Sequence, residues 1–288
     1  MVSSMKKYDL HKHDFSKLHF DIRDAVPYLA ANADKPYKPH RHSFYQIIWF
    51  EQAGQHYVDY QLITHEKHTV IFIRPEQVHY FCDQSANAGY LYHFNAAFIA
   101  QHGQRQLDRL SLSVFNDILG HQLVLPMESV AVLQSLTDHI RHEMGHTQHG
   151  YKEIVYHYFM VLLGHLERLH YTVNDMGNSG AKDLSVASHF KQLIQENIKE
   201  AHSIEHFASL LHISSRKLTQ VIKSVFQTTP AVLIKESKIL EAKRILSNQN
   251  IAIKEVAYKV GFDQPTYFTK FFKKETGVTP REFQRSIR

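Results

Sequence analysis

Two stretches of this chain are copies of one another. SIEHFASLLHISSRKLTQVIKSVFQTTPAVLI begins at Ser203, and AIKEVAYKVGFDQPTYFTKFFKKETGVTPREF begins at Ala252. Ala208 matches Ala257 at an offset of 49 and Pro230 matches Pro280 at an offset of 50, so the second copy holds one extra residue in its turn. A duplication this close constrains the region to two examples of one supersecondary unit. In the first copy Ile204, Phe207, Ala208 and Leu211 recur at helical spacing, and LHIS is a short turn. Ser214 is a natural N-cap, and Leu218, Val221, Ile222 and Val225 form the apolar face of a second helix. The second copy runs in parallel: Ile253, Val256, Ala257 and Val260, then Gly261 for a positive-φ turn, Asp263 as a cap, and Phe268, Phe271 and Phe272 pointing inward. Each copy therefore has the grammar of a helix-turn-helix.

The outer face of each second helix carries the chemistry. Ser215, Arg216, Thr219, Gln220 and Lys223 remain outside in the first copy, and Thr266, Thr269, Lys270 and Lys273 in the second. A helix fits the major groove of duplex DNA, where such side chains read base edges, while Lys and backbone N–H groups hold phosphates. PAVLIKESKILEAKRILSN, between the copies, reads as one amphipathic connector with Leu233, Ile234, Ile239, Leu240, Ile245 and Leu246 apolar. Charge agrees with a polyanionic partner: residues 1–180 hold 15 Lys/Arg and 18 Asp/Glu, a net of −3, whereas residues 181–288 hold 18 and 10, a net of +8.

The first part reads differently. SFYQIIWF, QHYVDYQLI, HTVIFIRP, VHYFCD and GYLYHFNAAF are short aromatic and β-branched runs broken by turn signals, the pattern of an all-β sandwich or small barrel. From about Asp108 to Tyr171 the period becomes helical, with Val130, Leu133, Leu136 and Ile140 on one face and a denser stripe in KEIVYHYFMVLLGHLERLHY. That stripe either covers the β-domain or meets the same helix of a second subunit. Val173–Asp183 is polar and Gly-rich, a linker. The lone Cys82, the lack of a signal-peptide stretch and the lack of any apolar run near the ~18 residues of a membrane span point to a cytoplasmic protein away from membranes.

The segment from about Ser203 to Arg288 resembles the DNA-binding domain of the AraC/XylS family. VAYKVGFDQPTYFTKFFKKETGVTPREFQR, Val256 to Arg285, is similar to that family's "IA…VGF", "YF…FFK" and "G.TP..FR" segments. PHRHSFYQIIWFEQAG, RPEQVHYF and GYLYHFNAAFI resemble the family's cupin-like effector domain. The resemblance implies base reading by Arg216, Thr219 and Gln220 and by Thr266, Thr269 and Lys270. It also implies promoter binding, usually activation, often through contact with RNA polymerase. The chain departs from the pattern at His212, where Gly is usual, at Ala252, where a Ser/Thr cap is usual, and at Pro265, early in the second recognition helix.

These readings together give an α+β chain. Residues 1–98 form an N-terminal arm and a cupin-like effector-binding β-barrel, and 99–172 a helical extension with a dimerisation role. Residues 173–183 are a linker, and 184–288 an all-α domain with two helix-turn-helix units. Strand alternation puts His40, His42, Phe44, Gln46 and Ile48 on one face, with His79 from a neighbouring strand. His40, His42, Gln46 and His79 are expected to orient a small-molecule effector, with Trp49, Tyr57 and Phe94 as further contacts. The layout resembles the His-x-His…Glu…His set of cupin metalloenzymes, but Gln46 replaces the anionic Glu, so no metal, cofactor or catalytic residue is expected. A metal-dependent cupin enzyme with a DNA-binding tail is the alternative. The effector leans towards an aromatic or carboxylate-bearing compound. His142–Glu143–Met144–Gly145–His146 is formally HExxH, read here as a polar helix end. The expected partners are double-stranded promoter DNA, the effector, RNA polymerase and a second copy of the chain.

Overall fold

The computed structural model describes residues 6–10, 18–32, 35–100, 114–115, 121–173, 181–200, 203–247 and 251–286. The chain divides into two compact units, one of residues 7–176 and the other of residues 177–288 together with residues 1–6. No helix of the described residues is long and apolar enough to cross a membrane.

The first unit opens with β1 (Lys6–Tyr8), β2 (Phe20–Asp24), α1 (Ala25–Ala31) and a 3-10 turn at Lys35–Tyr37. It continues through β3 (His40–His42), β4 (Tyr45–Phe50), β5 (Gly54–Val58), β6 (Gln61–His65), β7 (Thr69–Ile73), β8 (His79–Phe81) and β9 (Gly89–Phe94). Then come α2 (Ala96–Ala100), β10 (Gln122–Val124), α3 (Met127–His146) and α4 (Tyr151–Val173). The strands form two five-stranded sheets, ordered β1-β3-β8-β5-β6 and β10-β7-β4-β9-β2. Among the described residues the sheets do not close into a single ladder, so the expected barrel is an open pair of sheets. β10 lies in a stretch whose periodicity predicted only helix; three residues pairing antiparallel with β7 are too short to show a period of their own.

Side-chain alternation explains the layering. Ile48 and Phe50 of β4, Ile71 and Ile73 of β7 and Leu91 of β9 face Val58 and Phe81 of the other sheet. Their neighbours Ile47, Trp49, Val70, Phe72, Tyr90, Tyr92 and Phe94 face the opposite way, onto α2, α3 and α4. The central sheet is thus covered on both faces, which is why β4, β7 and β9 read as nearly unbroken apolar runs. The helical stripe covers the sheet: Leu133 and Ile140 of α3 and Val155, Phe159, Leu162 and Leu166 of α4 are buried there. Phe159 sets its ring 4.8 Å from those of both Phe20 and Phe94. The Thr137 hydroxyl donates to the Leu133 carbonyl, so the Tyr92 hydroxyl, 2.6 Å away, donates to Thr137 and ties helix to sheet.

Among its described residues the second unit is all helical: α5 (Ala181–Glu196), α6 (Ile204–Leu210), α7 (Ser215–Phe226), α8 (Pro230–Leu246), α9 (Ile253–Lys259), α10 (Pro265–Thr276) and α11 (Pro280–Ser286). α5 starts within the stretch expected as a linker, and residues 174–180 of that stretch lie outside the described residues. The duplication is realised element by element. α6 and α9 are both seven residues long and start 49 apart, and α7 and α10 are both twelve long and start 50 apart. The extra residue sits in the second turn, as the sequence offset requires. Ala208 and Ala257 are buried, their lack of bulk allowing the following helix to approach. The second core draws on α8 through Ile239, Ala242 and Leu246, packed with Val256, Ala257, Val260, Phe268 and Phe272.

Caps show where each helix begins. Ser203 Oγ accepts from the His206 N–H, Ser214 Oγ from the Lys217 N–H at 3.1 Å, and Thr229 Oγ1 from the Val232 N–H. Thr279 and Glu282 form a reciprocal capping box at α11. The Thr-Pro pair of each copy is thus a cap followed by proline at the first helical position. The expected cap at Asp263 is not made. The inserted residue moves the helix start one place on, so Gln264 occupies the cap position without a side-chain bond, and Pro265 removes one N–H that needs a partner.

Candidate functional site

Both turns of the duplicated units use the left-handed region at one matched residue: His212 has φ 55° and Gly261 φ 82°. Glycine is obligatory only at the second. A Cβ there would lie 2.3 Å from the Lys199 carbonyl oxygen, whereas His212 is exposed. The turns aim the following helices. On α7, Arg216, Gln220 and Lys223 are exposed and Ser215 and Thr219 half-buried, all lining one open groove with Glu205 of α6. On α10, Thr266, Lys270 and Lys273 are exposed and Thr269 half-buried. Thr219 Oγ1 donates to the Ser215 carbonyl and Thr269 Oγ1 to the Pro265 carbonyl, each at 2.9 Å. The two threonines thus make the same back-bond from matched places on their helices. Sequence reasoning missed Tyr267, which is 62 % exposed on α10 beside buried Phe268. The Tyr-Phe pair was visible, but which ring faces out follows only from the packing of Phe268.

The second candidate site is a cavity of about 320 Å³ within the first unit. His40, His42, Gln46 and His79 line it together, as do Phe44, Phe81 and His93. Tyr8, Asp9 and Leu10 of the arm, Tyr28 and Asn32 at α1, and Lys35 and Pro36 of the 3-10 turn contribute the rest of the wall, with Asp21 from β2. Trp49, Phe94 and Tyr57 do not reach it. Trp49 and Phe94 fall on the helix-facing side of their strands, and Tyr57 stacks on Tyr80 at 4.2 Å. His93 was missed because its partnership depends on β4 lying beside β9, where Gln46 and His93 are register partners.

The imidazoles are crowded and buried. The His40 and His79 rings lie 4.4 Å apart, His42 and His79 4.9 Å, and His56 and His79 5.4 Å. Burial, reinforced by neighbouring histidines, pushes His42, His56 and His93 down to about 3. His40 and His79 are lowered for the same leading reason. All five are thus neutral near neutral pH. His142 and His146 stand elsewhere, on the last turn of α3, both exposed with rings 4.2 Å apart. His146 Nδ1 donates to the His142 carbonyl, a local helix-end contact.

Residues 207–286 match the family model of a helix-turn-helix domain. The uncharacterized HTH-type transcriptional regulator YisR of Bacillus subtilis is 32 % identical over 102 residues, covering 35 % of this chain and 36 % of that protein. The HTH-type transcriptional activator RhaR of Cronobacter sakazakii is 32 % identical over 82 residues, covering 28 % and 29 %. This chain therefore spans about a third of those two relatives. The HTH-type transcriptional activator RhaS of Enterobacter sp. is 24 % identical over 251 residues, covering 85 % of this chain and 87 % of that protein. A regulator with an AraC-type DNA-binding domain from Chromobacterium violaceum, a solved structure, covers 38 % of this chain and 96 % of its own at 22 % identity and a TM-score of 0.35. The duplicated turn, the two outward polar helices and these matches show that the chain carries a helix-turn-helix domain similar to that of AraC-type transcription regulators.

Proposed function

We propose that this chain is an effector-responsive activator that grips promoter DNA with α7 and α10 in two consecutive major-groove segments. The observation that carries the reading is the match of the two units, the same helix lengths, the same turn conformation and the same back-bonded threonine on two exposed helices of a basic segment. Arg216, Gln220, Thr219, Thr266, Thr269 and Lys270 are the base-reading set, with Ser215, Lys223 and Lys273 at phosphates. The activator name of RhaS, matched along most of its length, supports activation, and contact with RNA polymerase is the proposed route. The effector occupies the histidine-lined cavity, and its differential affinity for two arrangements of the protein sets the size of the response. Homodimerisation is supported by Ile154 and Val161, seven residues apart on α4 and 39 % and 49 % exposed.

Footprinting of the full chain on the intergenic DNA beside its gene tests the proposal. Protection over two successive major grooves per subunit is the expected result. Lys270→Ala should weaken it, and an undiminished footprint would remove α10 from the interface.

A further inference from the structure

Two imidazoles four residues apart on a helix stand on one face, one turn above the other. His142 and His146 do so at the end of α3, both exposed, with ring centres 4.2 Å apart and planes inclined at 32°. An ion bonded to two imidazole nitrogens at about 2.0–2.1 Å, with a tetrahedral angle between the bonds, needs those nitrogens roughly 3.3 Å apart. Rings already this close reach that spacing by side-chain rotation, with the helix unchanged. The proton on one ring is fixed. His146 Nδ1 lies 2.8 Å from the His142 carbonyl, which only accepts, so Nδ1 carries the hydrogen and the neutral ring turns its lone pair outward at Nε2. Metal-bound histidines commonly donate their second N–H to a carbonyl in this way, which sets the ring's direction and raises its basicity. His146 is thus pre-oriented, and the exposed His142 ring can bring a nitrogen to the same point.

The helix end favours an ion as well. A helix C-terminus carries the negative end of its dipole, so a dication on the last turn is stabilised there. α3 stops directly after His146, at Thr147 with φ 34°. Gly145, with nothing within 4 Å of where its Cβ would stand, weakens this turn as glycine does in any helix. An ion tied to residues 142 and 146 spans that turn and holds its pitch.

The pair differs in kind from the three-ligand centre that HExxH marks in zinc proteases. Among the described residues no three His, Cys, Asp or Glu side chains are gathered for an ion, so Glu143 is not a third ligand and no hydrolysis is assigned to the site. His139, on the same face one turn earlier, is held otherwise: its Nδ1 donates to the Ser135 carbonyl at 2.6 Å and its ring lies 5.0 Å from that of Tyr158. We propose that His142 and His146 chelate one divalent ion of the imidazole-seeking class, Cu²⁺, Ni²⁺ or Zn²⁺, with water in the remaining positions, and that the ion fastens the last turn of α3. The site uses no residue of the recognition helices or of the histidine-lined cavity, and it does not depend on the role given to either.

Calorimetric titration of the full chain with copper(II), nickel(II) and zinc(II) chloride at one pH tests this, joined by electron paramagnetic resonance of the copper form. His142→Gln and His146→Gln should each weaken the site about tenfold or more, because either change turns a chelate into a single imidazole. Both side chains are exposed, so neither change disturbs the core. The copper spectrum should count two imidazole nitrogens in the parent and one in either variant. His139→Gln, on the same face, should alter neither measurement. Affinity should peak at Cu²⁺ among the three ions, and Mg²⁺, which takes oxygen ligands, should not displace them. A loss of only half the bound metal in each single variant would mean two independent imidazoles and no chelate. An undiminished copper signal in the double variant would put the ion on other histidines. Either result, or no binding of any of the three ions, overturns the site.

Discussion

Acid should dismantle the first unit well before ordinary carboxylate titration does. His42, His56 and His93 sit near 3 in the folded protein, against 6.5 for an exposed imidazole. Below 6.5 the unfolded chain binds protons at these sites that the folded chain refuses, so stability is complete above that value and falls as the pH drops towards 3. One unit below 6.5 each group costs roughly 1 to 2 kcal/mol, or about 4 kcal/mol for the three. That is a large part of the ~5–15 kcal/mol that holds a domain together. His40 and His79, lowered in the same direction, add to it. The assay is built in: the single tryptophan, Trp49, is 1 % exposed in this unit. Urea unfolding followed by its fluorescence should show the midpoint dropping by about 2 M between about pH 7.5 and about pH 5.5, for a urea slope of about 2 kcal/mol per M. A midpoint unmoved over that range would mean that the histidines are not held neutral in the fold.

Other outcomes are equally specific. Arg216→Ala should cost about 1–3 kcal/mol of operator affinity and relax base preference at one position, measured by competition binding. Lys273→Ala should weaken all sequences alike and reduce the salt slope by about 1. Gly261→Ala places a Cβ against the Lys199 carbonyl at a positive φ, and should destabilise the helical unit by more than ~1 kcal/mol in calorimetry. His212→Gly, at the matched but open position, should stay within about 1 kcal/mol of the parent. Thr279→Ala removes the acceptor for the Glu282 N–H and should cost about 1 kcal/mol.

The helical unit was legible in the sequence almost residue by residue because its determinants are local. Helical spacing fixed which side chains are buried, the offset of 49 then 50 located the inserted turn residue, and Ser214 marked its own helix start. Asp263 misled because capping depends on a register that the insertion shifts by one. The cavity was half legible. His40, His42 and Gln46 lie close in sequence, but β3 and β4 belong to different sheets, and only the return of the chain through β8 and β9 brings His79 and His93 to them. Trp49 and Phe94 were misplaced because both faces of the central sheet are apolar, so alternation does not say which face meets the cavity.

The connector α8 holds Leu233 in its first half buried, and gives Ile239, Ala242 and Leu246 of its second half to the core around α9 and α10. A strut anchored in this way has no hinge to spend. Each added base pair displaces the next binding step by about 3.4 Å and turns it by about 35°, at 10–10.5 pairs per turn. The protein would have to break a hydrophobic core to follow, so operators should tolerate many base changes before they tolerate one inserted pair between the two contacted segments.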